Sequence, residues 1–351
     1  MDNDGLFGIS SDRWGVPGAV ALARLQVSSF VSTRNRYFYV MTPKVGCTTI
    51  KHMIGAIEGI DIRPEVVARR NRESKRAMLI HDPDALPIPH LTGLAPDQAA
   101  RLIGPDSGYL VFAFVRNPYS RLFSAWNNKL RFVEPSYAPV AAAIRDALAL
   151  GGDAAPVSFA DFVAYVCRHE DPRLCDHHWA LQTALLFPDA ISYSFICPIE
   201  AFGHGWGLWR AHLEKVKGEP VEVLATPRNV SLPEDWRASF DERLAGQVYE
   251  YYAEDFRKFG YDRESWRPHG DDGVRQTDEG ERFFTREIVE RNRMIDLLYD
   301  KIDDYAEIIC YYHAQLQERN QRLDQAYSKV AEYSALVRKG QGESSQPRQN
   351  P

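Results

Sequence analysis

The sequence predicts an α/β fold with a mainly parallel central sheet flanked by helices, followed by a long C-terminal helix that forms a coiled coil. Three observations predict it. Short β-branched and aromatic runs alternate with helical patterns, two of those runs pass straight into helix-opening loops, and a seven-residue apolar repeat fills the C-terminal region. The strand-like runs are Tyr37–Met41, Tyr109–Val115, Ser192–Ile199 and Val221–Leu224, each rich in β-branched or aromatic residues. Helical patterns cover Thr48–Glu58, Pro96–Ile103, Pro118–Phe132, Phe159–Cys167 and Trp179–Leu186. Strands separated by helices pair in parallel, and their C-terminal loops build the site. Glu134–Pro156, rich in Ala, Gly and Pro, reads as an insertion beside that site.

The expected organisation is a catalytic domain over 1–262, a polar linker over 263–283, a coiled-coil helix over 284–338 and a disordered tail over 339–351. The helix rests on a heptad: Ile288, Ile295, Ile302, Ile309, Leu316, Leu323, Val330 and Val337 recur every seven residues. Positions three later include Leu298, Tyr305, Tyr312, Ala326 and Tyr333, interrupted by Arg291 and Arg319. At about 1.5 Å per residue such a helix runs to roughly 75 Å, too long to lie on the domain throughout. Self-association into a homo-oligomer is expected, with packing on its own domain as the alternative.

Composition excludes several classes. A net charge of −6 over 351 residues excludes a protein that coats nucleic acid. The five irregularly spaced cysteines make no secreted disulfide framework. Cys167, Cys175, His177 and His178 cluster in sequence, but their spacing fits no standard zinc pattern, so no metal is expected. No run reaches the length of a membrane span, and Val16–Leu25 lacks the pattern of a signal peptide, so the expected compartment is the cytoplasm. The basic run from Arg63 to Arg76 reads as a solvated face, or as a docking patch for an acidic polysaccharide.

Two segments carry the chemistry. In Tyr37-Phe38-Tyr39-Val40-Met41-Thr42-Pro43-Lys44-Val45-Gly46-Cys47-Thr48-Thr49-Ile50-Lys51, a strand meets a tight loop and then a helix start. Free first-turn amides and the helix dipole favour an anion there, Lys44 adds a mobile cation, and Thr48 and Thr49 offer hydroxyls. The lysine precedes the glycine, unlike the usual nucleotide-binding loop. The second segment runs from Phe112 to Lys129: a hydrophobic strand ends at Arg116, and Pro118 opens an amphipathic helix. Arg116 and Ser124 can converge on one anion, as an arginine fork plus a hydroxyl. A magnesium-dependent phosphotransferase would more naturally show an acidic residue ending a nearby strand, whereas this strand ends in arginine.

Two anion clamps imply a nucleotide phosphorylated at two separated positions. Pro43-Lys44-Val45-Gly46-Cys47-Thr48-Thr49-Ile50-Lys51 and Val115-Arg116-Asn117-Pro118-Tyr119-Ser120-Arg121-Leu122-Phe123-Ser124-Ala125-Trp126 resemble the two donor-binding motifs of the carbohydrate sulfotransferases, the chondroitin and dermatan enzymes and their bacterial relatives. His178-Trp179-x-x-Gln182 with Pro188, Tyr193, Phe195, Ile196 and Glu200, and Tyr252, Asp255, Phe256, Phe259, Gly260 and Tyr261, are similar to two further stretches of that family. Departures are Thr49-Ile50 for Asn-Trp, and Asn117 for an acidic residue.

The resemblance implies a P-loop-like sulfotransferase fold and 3′-phosphoadenosine 5′-phosphosulfate (PAPS) as donor. It also implies in-line transfer of the sulfuryl group to a hydroxyl of a carbohydrate acceptor, on a glycan or glycolipid. Lys44, Val45, Gly46, Cys47, Thr48 and Thr49 would hold the 5′-phosphosulfate, and Arg116 and Ser124 the 3′-phosphate. Lys44 would serve the leaving oxygen, and His90 is the candidate general base, with His178 and His81 competing. A kinase-like phosphotransferase using ATP and magnesium, and a non-catalytic coiled-coil scaffold with a degenerate nucleotide domain, are the alternatives.

Overall fold

Tyr37–Val40 is buried at every position, and a strand with no polar face belongs inside a sheet that helices cover on both sides. The computed structural model describes residues 6–61, 86–131, 137–151, 156–223, 236–267 and 307–338. In it, β1 (Ser29–Ser32), β2 (Tyr37–Val40), β3 (Leu110–Val115) and β4 (Phe195–Pro198) form one sheet in that order. β1 is antiparallel to β2, and the β2–β3 and β3–β4 pairings are parallel. The chain divides into two compact units, Met1–Asn292 and Arg293–Pro351.

The helices are α1 (Gly18–Ser28), α2 (Cys47–Glu58), α3 (Pro96–Ile103), α4 (Pro118–Trp126), α5 (Ala138–Leu148), α6 (Phe159–Val166), α7 (Phe202–Lys217), α8 (Glu242–Tyr251) and α9 (Ala253–Phe259), with shorter turns between them. Alternate strand residues enter two cores. Phe38, Val40, Val111, Ala113 and Val115 pack with Leu25 of α1, Leu102 of α3, Leu122 of α4 and Phe162 of α6. Tyr37, Tyr39, Phe112 and Phe114 pack with Ile50, Met53 and Ile54 of α2 and Trp209 and Leu213 of α7. Gly205 lets α7 lie directly on β3, because a Cβ there would stand 2.5 Å from Phe114 Cε1.

The strands expected around Tyr37, Tyr109 and Ser192 are present with trimmed ends, but Val221–Leu224 is not a strand. Residues 221–223 have no regular structure, and Leu224 lies outside the described residues. Val221 is apolar because it packs into the second core, its amide donating to Glu214 Oε1 at 3.3 Å. One edge of the sheet is β1, and its Val31 amide donates to Pro89 O at 2.8 Å, so the Pro89 segment covers that edge.

Two helical expectations change, and the insertion gains a helix. Trp179–Leu186 keeps only one turn, Thr183–Leu186, because Asp255 takes the amides of Gln182 and Thr183 that a longer helix would use. The helix expected to reach Phe132 is α-helical to Trp126 and then widens into a π turn, Asn127–Arg131, while Phe132 itself lies outside the described residues. Within the Glu134–Pro156 insertion, the alanine-rich stretch forms α5, with Pro139 in its first turn, and packs on α6.

At the boundary expected for the linker, Trp266 is buried in the first core. Residues 307–338 are helical, with Ile309, Tyr312, Leu316, Leu323, Val330, Tyr333 and Val337 all exposed. The earlier heptads, the rest of the linker and the tail lie outside the described residues, as do the Arg63–Arg76 run and His81. Among the described residues, no helix is long and apolar enough to cross a membrane.

Candidate active site

The parallel strands β2, β3 and β4 end side by side, Val40 in register with Ala113 and Val115 with Pro198. The loop from β2 to α2 turns through two left-handed residues, Lys44 (φ 67°) and Gly46 (φ 65°). Gly46 is required twice over, since a Cβ there would also stand 3.2 Å from Ile199 Cδ1. As the residue preceding α2 it brings no capping side chain, which leaves the helix start open to an anion. Val45 and Thr48 are buried, Cys47 and Thr49 half-buried. Thr42 Oγ1, in the same loop, is buried and has no hydrogen-bond partner among the described residues.

Lys44 holds a conformation that costs a non-glycine residue about 1–2 kcal/mol, a form of strain that clusters at functional sites. Its Nζ donates to Asn128 Oδ1 at 2.8 Å. Asn128 belongs to the π turn, a feature that recurs at functional sites.

Arg116 leaves the end of β3 half-buried and joins the two loops. Its Nη1 donates to Lys44 O at 3.1 Å, and its Nε to Ser120 Oγ at 2.9 Å. The hydroxyl that the guanidinium meets is therefore Ser120, while Ser124 sits half-buried one turn further along the same face of α4. Ser120 was legible in principle as the first hydroxyl within a helical turn of the arginine. Burial lowers the Arg116 pKa, opposed by the charges of Glu200 and Tyr261.

The two later motif stretches turn out to brace these loops. Gln182 bonds both the amide and the carbonyl of Arg116, each at 2.9 Å. Glu200 accepts from Asn117 N at 2.9 Å and from Tyr261 OH at 3.0 Å. Asn117 caps α4 by accepting from Tyr119 N and donates to Ser265 Oγ at 2.7 Å. Arg121, 2% exposed, donates to three carbonyls: Pro43 (3.1 Å), Ala180 (2.7 Å) and His177 (3.0 Å). The segment 177–183 is thus held through its carbonyls by Arg121 and through its amides by Asp255.

The histidines occupy two environments. His90 Nδ1 bonds the carbonyl of Ser29, and its ring packs against Phe30 at 5.3 Å between centroids. Ser29 is in register with Val40, so His90 stands at the same end of the sheet as the Lys44 loop. Burial lowers the His90 pKa, and the Lys51 charge lowers it further against the Ser29 bond. His178 is pinned through Nδ1 by Asp176 (2.8 Å) and Tyr137 OH (2.7 Å), and burial brings it down to about 3. Burial pushes Asp176 up, but the His178 hydrogen bond and charge outweigh it and leave the carboxyl at about 2.

Asp176, His177 and His178 bring ligand-type atoms within 4.8 Å of one another, a grouping that could hold a cation. The repulsive charge of Lys129 acts on both histidines. Cys167 and Cys175 stay outside that group, with Cys175 Sγ on Tyr251 OH at 3.1 Å and Cys167 raised to about 12 by burial.

Comparison with known proteins supplies the context for this geometry. Carbohydrate sulfotransferase 14 of Danio rerio is 27% identical over 235 residues, covering 63% of this chain and 54% of the relative. Carbohydrate sulfotransferase 10 of Xenopus laevis is 30% identical over 256 residues, covering 66% of each. Carbohydrate sulfotransferase 8 of Homo sapiens is 26% identical over 261 residues, covering 67% of this chain and 55% of the relative. The chain spans about half the length of the first of these. No solved structure matches. The sulfotransferase family model matches residues 28–262, from just before β1 to just past Tyr261, and so takes in both loops and every brace on them up to that point; the chain belongs to the sulfotransferase family.

Proposed function

We propose that the chain is a PAPS-dependent sulfotransferase, with a P-loop-like sulfotransferase fold, that moves a sulfuryl group to a hydroxyl of a carbohydrate on a glycan or glycolipid. The observation that carries this reading is the bond from Arg116 Nη1 to Lys44 O, 3.1 Å. It brings the loops that carry Lys44 and Arg116 into contact, which supports their acting on one nucleotide phosphorylated at both ends of its ribose. The residues fit such a donor: an uncapped helix start, a glycine where a side chain would crowd, and two cations. The carbohydrate acceptor rests on the names of the relatives.

In the proposed reaction the acceptor oxygen attacks sulfur, and the bond from sulfur to the bridging oxygen of the 5′-phosphate breaks. Adenosine 3′,5′-bisphosphate leaves with the extra negative charge, and the acceptor proton passes to a base. Lys44 Nζ, held by Asn128, would turn onto the leaving oxygen, with the loop amides and Thr48 on the 5′-phosphate. Arg116 and Ser124 hold the 3′-phosphate. His90 takes the proton: with Nδ1–H given to the Ser29 carbonyl, the lone pair lies on Nε2, the tautomer a base needs.

Calorimetry with adenosine 3′,5′-bisphosphate against ATP-magnesium tests the donor, and transfer from radiolabelled PAPS to a glycan panel tests the acceptor class. Preference for ATP-magnesium would move the assignment to a phosphotransferase. Bisphosphate binding with no transfer to any acceptor would favour the scaffold.

The lowered His90 pKa gives a pH signature. The base works unprotonated, so kcat/KM should hold its plateau below pH 6.5 and fall only at still lower pH. His90→Ala should reduce turnover by about 10²–10⁴-fold and abolish that acid limb. Full activity in His90→Ala, with loss in His178→Ala, would transfer the role to the Asp176–His178 pair.

The exposed heptad face of 307–338 supports a homo-oligomer joined through 284–338. Sedimentation of the full chain should give a multiple of 40.0 kDa, reverting to the monomer mass when Leu316 and Leu323 are both replaced by Glu. A monomer mass for the unmodified chain would end this reading. All five cysteines are free thiols, which supports a reducing compartment such as the cytoplasm; recovery of a disulfide-linked form from cells would contradict it.

A further inference from the structure

We propose that Gln182 is a positioning residue for Arg116, and that through it the site distinguishes donors phosphorylated at both ribose ends from donors with a 5′ group alone. This deepens the assignment of Arg116 to the 3′-phosphate and rests on it. The side-chain amide of Gln182 takes Arg116 at both of its main-chain polar groups. Oε1 accepts from Arg116 N at 2.9 Å, and Nε2 donates to Arg116 O at 2.9 Å. Both bonds come from one planar group, so together they fix the two peptide planes that flank the Arg116 Cα. Those planes set the direction in which the guanidinium leaves the strand.

Arg116 needs such a partner because β3 ends at Val115, and its own N–H and C=O lie beyond the ladder. Gln182 is in turn immobile. It is fully buried, its amide donates to Asp255 Oδ2 at 2.8 Å, and its Nε2 lies 3.4 Å from the same oxygen. Asp255, also fully buried, accepts from Thr183 N at 2.9 Å. A buried carboxylate that takes two backbone amides and touches the glutamine amide also settles which way that amide faces: Nε2 toward the carboxylate and the Arg116 carbonyl, Oε1 toward the Arg116 N–H.

The 5′ side is braced by other groups, Arg121 on Pro43 O and Asn128 on Lys44 Nζ. Loss of the Gln182 amide should therefore fall mainly on the 3′-phosphate, with a smaller effect on the 5′ side through the Arg116 bond to Lys44 O. A residue that merely stabilised the fold would weaken every nucleotide alike.

The test is calorimetry on the full chain with adenosine 3′,5′-bisphosphate and with AMP, for the unmodified protein, Gln182→Met and Gln182→Asn, with melting curves to confirm folding. Gln182→Met keeps the volume and removes both bonds. It should bind the bisphosphate about tenfold more weakly, weaken AMP binding much less, and raise the KM for PAPS more than it lowers kcat. Gln182→Asn keeps a neutral amide beside Asp255 but is one methylene too short to span both Arg116 groups; it should fold even if Gln182→Met does not, and should lose preference for the bisphosphate in the same direction. A folded variant whose preference for the bisphosphate is intact, or one that loses both nucleotides equally, overturns the proposal. An unmodified protein that does not prefer the bisphosphate over AMP overturns instead the assignment of Arg116 on which it stands.

Discussion

Lys44→Ala is expected to lower kcat for sulfuryl transfer by about 10²–10³-fold, the scale on which a single pre-placed donor to a developing negative charge acts. The bisphosphate product should still bind, because the loop amides and Arg116 remain. Backbone conformation sharpens the experiment. Lys44 sits at φ 67°, so Lys44→Gly removes the ammonium and also relieves a left-handed residue. That variant should be more stable than the parent by about 1 kcal/mol and as inactive as Lys44→Ala. Steady-state kinetics and a melting curve on the two variants separate the contributions. Substantial turnover in both would remove Lys44 from the chemistry.

The second large effect is structural. Arg121→Met should destabilise the α/β unit by about 3–5 kcal/mol, as breaking a buried charge network does when one partner is left behind. The carbonyls of Pro43, Ala180 and His177 lose their donor together, and Asp255 loses the cation that opposes its buried charge. Burial alone lowers the Arg121 pKa and raises that of Asp255, so each ion leans on the other and on backbone dipoles. Denaturant titration reads the loss directly. A midpoint equivalent to a change of less than about 0.5 kcal/mol would mean that the arginine is an ornament of packing. Because Pro43 belongs to the donor loop, the PAPS KM should rise in the same variant.

How much of this was legible follows from where the information sits in the chain. The strand, loop and helix around Lys44 and around Arg116 could be read because each pattern lies in consecutive residues. Gln182, Glu200, Asp255 and Tyr261 were visible as motif residues, but their work was not, since the bonds they make cross 61 to 83 positions of sequence. Asn128 was hidden by the π turn, which shifts a side chain off the α-helical register that periodicity assumes. α7 escaped because Gly203, Gly205 and Gly207 interrupt its helical pattern, and Gly205 is there for Phe114 rather than for the helix. β1 is four residues with a serine at each end, too short for alternation to register.

If the proposed oligomer and carbohydrate acceptor hold, the exposed heptad helix would shape the product pattern. Joined through that helix, two or more active sites would share one body, while a polymeric sugar presents its hydroxyls in a repeating row. Once one site holds the polymer, its neighbour meets the remaining hydroxyls at an effective concentration set by the tether rather than by the bulk. Such an assembly would leave sulfate in runs along a chain, where a lone subunit would scatter it.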